Sequence, residues 1–121
     1  MQKQEILGIN ISAESFGSVL SAIRQKLEQP ERSGNYLCAT SVHGVVEAQS
    51  DAEMKTILND AFINFPDGMP LVRVGKLLGS KQMERMWGPE LFCRVCEMTS
   101  EMDVSHFFYG GPEGVAKELA R

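Results

Sequence analysis

Short apolar runs alternate along this chain with longer stretches whose apolar residues recur at helical spacing. That alternation is what most constrains its fold. The runs are Ile6 to Ile11, broken by Gly8 and Asn10, then Tyr36-Leu37-Cys38-Ala39, Ala61-Phe62-Ile63-Asn64-Phe65 and Ser105-His106-Phe107-Phe108-Tyr109. Each is read as a strand. Phe16, Val19, Leu20, Ile23 and Leu27 form the first helical stripe, with Ser12 as its expected cap. A polar break from Pro30 to Gly34 follows it. Val42, Val45, Val46 and Gln49 open the second stripe; Met54, Ile57 and Leu58 complete it. Between them, Ser50-Asp51-Ala52-Glu53 has the form of a capping box. Leu71, Val72, Leu77 and Leu78 make the third stripe, with Gly79 in the place of a C-terminal glycine. Residues 80–90 read as a loop or a short helical turn, and Pro89 suits the first turn of a helix bearing Leu91, Phe92, Val95 and Met98 or Thr99. Gly110-Gly111-Pro112 turns into a last helix, inside which the chain ends at Arg121.

Strands alternating with helices predict an α/β fold: a Rossmann-like parallel sheet with helices on both faces. The 121 residues make one domain, 1–121, and the 43% apolar content suffices for a core. A net charge of −4 without a clustered basic face argues against nucleic acid. Arg73, Lys76, Lys81 and Arg85 do gather in one region, where they either meet phosphate or form a solvated helix face. No run approaches the roughly 18 apolar residues of a membrane helix. The N-terminus lacks the apolar segment of a secretory signal, so a cytoplasmic location is expected. Three cysteines without an export signal argue against disulfides.

In open parallel sheets, ligands bind at the carboxyl ends of the strands. The second, third and fourth predicted strands end at Thr40-Ser41-Val42-His43, Pro66-Asp67-Gly68 and Gly110-Gly111. Asp67 is the most pointed candidate. Pro66 sets the exit from the strand and Gly68 permits a sharp turn or close ligand approach. Asp67 reads either as a general base or as the N-cap of the next helix, and spacing alone does not separate the two. A helix N-terminus would also stabilise the carboxylate and weaken it as a base. Gly110-Gly111-Pro112-Glu113-Gly114 offers backbone N–H groups for a phosphate, although tight turns use the same residues. Thr40 and Ser41 are helix-cap residues by default, with a substrate-facing hydroxyl as the alternative. His43 has only His106 for company, so no metal is expected. Cys93 and Cys96 match a redox spacing but fall on the apolar side of a predicted helix, where packing is the usual role. Trp87 either lines the crevice or plugs the core.

Taken together, these blocks resemble a known family. Thr40-Ser41-Val42-His43-Gly44-Val45-Val46-Glu47-Ala48 is similar to the strand-two motif of the WecB/TagA/CpsF glycosyltransferases. Asn64-Phe65-Pro66-Asp67-Gly68-Met69-Pro70-Leu71-Val72 resembles their Pro-Asp-Gly motif. Leu77-Leu78-Gly79, Glu84-Arg85-Met86-Trp87-Gly88-Pro89-Glu90-Leu91 and Phe107-Phe108-Tyr109-Gly110-Gly111-Pro112-Glu113-Gly114-Val115-Ala116 look like three further segments of it. The resemblance covers the whole chain. It implies inverting transfer of a sugar, such as N-acetylmannosamine, from a UDP-sugar to a polyprenyl-diphosphate-linked sugar acceptor. Such enzymes work at the inner face of the cytoplasmic membrane, in cell-surface polysaccharide or teichoic acid synthesis. It assigns Asp67 as the catalytic base and Thr40 and Arg85 to substrate; Gly68 is added to the substrate site, and Gly110 and Gly111 to the nucleotide, from the backbone reading of their loops. No cofactor or metal is implied.

Two positions depart from the family pattern. Val42 stands where Asn is frequent, and Glu90 where Asp is common. Family domains also continue for several more strand–helix units, often to a basic membrane-docking segment. An incomplete domain is therefore expected here, with an exposed apolar sheet edge and either marginal stability or association into a homo-oligomer. Two alternatives to a transferase follow: a non-catalytic nucleotide- or protein-binding remnant of the fold, and a thiol redox protein built on Cys93 and Cys96.

Overall fold

The computed structural model describes residues 1–31 and 34–121. Positions 32 and 33 of the expected Pro30–Gly34 break lie outside the described residues.

The first apolar run is not one strand but part of a hairpin. Strands β1 (Lys3–Ile6) and β2 (Ile9–Ser12) pair antiparallel, with Lys3 opposite Ser12 and Ile6 opposite Ile9. The reason lies in the turn. Leu7 has φ 51° and Gly8 φ 80°, and a two-residue turn with both residues left-handed matches the twist of the strands it joins. Ser12, expected to cap a helix, instead ends β2. It is buried, and its hydroxyl has no partner among the described residues. The cap is Ser15, whose side chain accepts from the Ser18 amide at the start of helix α1 (Phe16–Glu28).

Strand β3 (Leu37–Thr40), helix α2 (Val42–Gln49) and helix α3 (Ala52–Asp60) follow. Asp51, not Ser50, caps α3 by accepting from the Met54 amide at 3.0 Å. Strand β4 (Ile63–Pro66) then runs parallel to β3, with Leu37 opposite Ile63 and Thr40 opposite Pro66. Helix α4 (Met69–Leu77) gives way to Gly79 at φ 112°, as expected of a C-terminal glycine. Helices α5 (Gly88–Thr99) and α6 (Val115–Leu119) complete the described elements.

The alternating pleat of β4 divides the interior into two layers. Ile63 and Phe65 pack with Val19 and Ile23 of α1 and Leu91 of α5. The other layer joins Ile9 and Ile11 of the hairpin to Val45 and Ala48 of α2, Leu58 of α3 and Leu71 of α4, with Cys38 of β3 against it. Helices thus cover both faces of the parallel pair, and the fold is α/β. The loop between α4 and α5 stitches the layers together. Its Met83 enters the hairpin layer and its Met86 the other, both fully buried.

The expected fourth strand is absent among the described residues: Ser105 to Tyr109 joins no ladder. The Rossmann-like expectation therefore holds for the parallel pair and its covering, not for the breadth of the sheet. The segment lies against α5 instead. His106 Nε2 is 2.8 Å from Thr99 Oγ1, and the Phe108 ring centroid lies 5.3 Å from that of Phe92. An extended segment is a strand only through its ladder. Without one, Phe107 and Tyr109 are left 90% and 95% exposed.

Candidate active site

The carboxyl ends of β3 and β4 lie side by side, and three segments meet there. Thr40 closes β3. Pro66, Asp67 and Gly68 lead from β4 into α4, and the Asp67 amide donates to the Thr40 carbonyl at 2.9 Å. The third segment is the loop before α5. The Met86 amide donates to the Pro66 carbonyl at 2.9 Å, which sets Arg85 and Trp87 beside the end of β4. Both Met86 and Met83 are buried anchors, so the loop is held by packing as well as by this bond. Glu84 pins the same loop to α1, its carboxylate accepting from the Phe16 amide at 3.3 Å.

Asp67 is half-buried, and nothing among the described residues occupies its carboxylate. The helix-cap alternative does not hold. The N-cap position of α4 falls on Gly68, which has no side chain to offer, and no side-chain cap bond forms. Gly68 itself differs from expectation. Its φ of 161° is extended backbone open to any residue, and a Cβ there would meet only Pro70 Cδ at 3.8 Å. No sharp turn requires this glycine.

Thr40 is 2% exposed, and its hydroxyl donates to Asn64 Oδ1. It does not cap α2; the N-cap is Ser41, which also makes no side-chain cap bond. Arg85 is exposed, as are Arg73, Lys76 and Lys81. Of these four cations, Arg85 is the one whose neighbour is bonded to Pro66. Trp87 does not plug the core. It is 53% exposed, and Met86 fills the interior in its place.

Gly110 and Gly111 have φ of 116° and 75° and are exposed. The preceding segment leads back along α5 from Thr99 toward Phe92, that is, toward the helix start near Pro66. No hydrogen bond among the described residues joins these glycines to Thr40, Asp67 or Arg85. His43 is exposed on α2 and lies 3.9 Å from Glu47. Among the described residues, no cluster of three His, Cys, Asp or Glu side chains is placed to hold a metal. All three cysteines are free thiols. Cys93 is exposed, contrary to the apolar side expected of it, and Cys96 is half-buried. Burial pushes the Cys38 thiol pKa up.

Sequence reasoning missed Asn64. It is 3% exposed in a strand whose neighbours on both sides are apolar and buried. A buried polar side chain needs bonded partners, and that requirement was the available signal.

A family model described as the glycosyl transferase WecG/TagA/CpsF family matches residues 4–121. An N-acetylglucosaminyldiphosphoundecaprenol N-acetyl-beta-D-mannosaminyltransferase of Bacillus spizizenii is 26% identical over 88 residues. That alignment covers 73% of this chain and 34% of the relative, so the chain matches about a third of that protein's length.

Proposed function

The chain belongs to the WecG/TagA/CpsF family of glycosyl transferases, and on that premise we propose that it carries the Asp67 half of a site transferring a hexosamine, such as N-acetylmannosamine, from a UDP-sugar to a sugar linked through diphosphate to a polyprenyl lipid. The observation that carries this reading is the unoccupied, half-buried Asp67 carboxylate at the shared end of β3 and β4. A carboxylate spent on capping a helix is not available for proton transfer; this one is.

In the proposed step the acceptor hydroxyl oxygen bonds to the anomeric carbon from the face opposite the UDP. Its proton passes to Asp67, and the bond to the UDP oxygen breaks with its electron pair leaving on the diphosphate. Stereochemistry inverts. Arg85 offers a fixed positive charge to the phosphate-bearing substrate. Gly68 leaves room for close approach, and Gly110 and Gly111 offer backbone N–H groups to the nucleotide. Val42 is 43% exposed at the start of α2, and it presents a methyl pair where a family Asn would present hydrogen-bonding atoms. The accepted sugar should differ accordingly. No helix among the described residues is long and apolar enough to cross a membrane. Work on a lipid-linked acceptor would take place at the cytoplasmic membrane face.

Asp67→Asn keeps the shape and removes the base. Turnover of UDP-N-acetylmannosamine with a lipid-diphosphate-linked N-acetylglucosamine should fall by two or more orders of magnitude, on the order of a general-base contribution. Wild-type-like turnover would remove Asp67 from the role. Val42, in place of a hydrogen-bonding side chain, favours a second reading, a module that binds nucleotide without turnover. Calorimetry with UDP beside the transfer assay separates them, since the module predicts heat without product.

A further inference from the structure

We propose that Asn64 and Thr40 are positioning residues, a buried polar clamp that holds the Asp67 loop on the end of β3; this rests on the reading of Asp67 as the reacting carboxylate. The need for a clamp comes from Pro66. β4 ends on a residue with no N–H, so the ladder loses a donor just before the site. The Asp67 amide supplies the next backbone tie, to the Thr40 carbonyl at 2.9 Å. Backbone at a strand end opens readily when a single bond holds it. The Thr40 hydroxyl and the Asn64 amide add a second tie between the same two strands, and both residues are nearly inaccessible at 2% and 3%.

The direction of that tie is set from outside the pair. Asn64 Nδ2 donates to the Asn10 carbonyl at 3.3 Å, and a carbonyl can only accept. Asn64 must therefore turn Oδ1 toward Thr40, and Thr40 must spend its one hydroxyl hydrogen there. Asn10 is fixed in turn. Its amide donates to Asn59 Oδ1 at 2.8 Å, and Asn59 Nδ2 donates to the Gly8 carbonyl at 3.0 Å. A one-way series of donations thus runs from Thr40 through Asn64, Asn10 and Asn59 to the Gly8 carbonyl of the hairpin turn. With its hydrogen committed inward and its surface buried, Thr40 acts on the site through the backbone of Asp67.

Amide hydrogen exchange, read residue by residue by NMR on the chain as it stands, tests this. Thr40→Val preserves shape and deletes the hydroxyl. Exchange at the Asp67 and Met86 amides should accelerate by about tenfold, the scale of one lost buried hydrogen bond. The Val19 amide in α1 should change by less than about twofold, because it shares no partner with the clamp. Thr40→Ser should restore protection. Wild-type protein carries an independent readout should Thr40→Val not fold: a Thr40 hydroxyl proton slow enough to observe, with a cross-peak to the Asn64 side chain. The clamp is overturned by an unchanged Asp67 amide in Thr40→Val, by acceleration spread evenly over the molecule, by failure of serine to restore protection, or by an unobservable hydroxyl proton. Exchange does not depend on turnover. Normal transfer by Asp67→Asn would end the catalytic reading while leaving these results to decide the clamp.

Discussion

Leu7 holds a left-handed backbone, φ 51°, that side chains with a Cβ rarely adopt. It is 65% exposed, so little packing compensates. Asn tolerates this region far better, and Asn-Gly is the preferred pair for such a turn. Leu7→Asn should therefore stabilise the protein by about 0.5–1 kcal/mol, read as a higher urea midpoint with an unchanged slope. Side chains nearer the site show how legible single residues were. Asp67 announced itself through the Pro and Gly on either side; Pro66 removes a ladder donor whatever surrounds it, while Gly68 proved extended. Its role did not, because base and cap differ only in where the carboxylate points relative to the helix start. Asn64 was silent for a related reason: nothing in the run from Ala61 to Phe65 says that Thr40 and Asn10 will lie within reach of its amide.

The hairpin depends on side chains from helices far along the chain. Asn59 of α3 bonds both the Gly8 carbonyl and the Asn10 amide, and Gln49 of α2 donates to the Leu7 carbonyl at 2.9 Å. Asn59→Ala removes a partner from two backbone groups at once. The expected cost is about 2 kcal/mol in chemical unfolding, from leaving part-buried polar groups unpaired. A loss near zero would mean that the turn holds itself. Helices were read better from sequence, since each carries its own periodicity and its own backbone bonds, although the single segment expected from Val42 to Leu58 is two helices, α2 and α3. Strands were read less well. Ile6 to Ile11 concealed a turn that only two positive φ values reveal, and Ser105 to Tyr109 has the composition of a strand but no ladder. Helical hydrogen bonds are local, whereas a strand's are supplied by another part of the chain.

At the scale of the molecule, the parallel pair is bounded on one side only. β4 lies between β3 and the hairpin, where Asn64 reaches the Asn10 carbonyl, while no further strand among the described residues pairs with β3. Beside β3 runs an apolar groove lined by Ile23, Leu37, Phe65, Leu91, Phe92 and Val95. Leu37 and Phe92 remain 39% and 38% exposed there. An unpaired strand with an apolar flank invites pairing with another chain. Light scattering should show mass rising with protein concentration. Leu37→Lys, a charge on that edge, should lower the associated fraction at equal concentration. A mass that stays monomeric in both proteins would locate the cohesion of this edge elsewhere.

Sequence alone determined the α/β class, the family motifs and the strand end on which Asp67 sits. The class and the strand end follow from periodicity and from Pro and Gly, whose effects on the backbone travel with the residue; the motifs rest on resemblance alone. Only the tertiary structure decided that Gly68 rather than Asp67 holds the cap position, that Met86 rather than Trp87 fills the core, and that Thr40 faces Asn64 instead of the solvent. Each of those outcomes turns on which side of a strand or loop a side chain takes. That choice is made by the packing of both layers against β4, and no single stretch of the chain contains it.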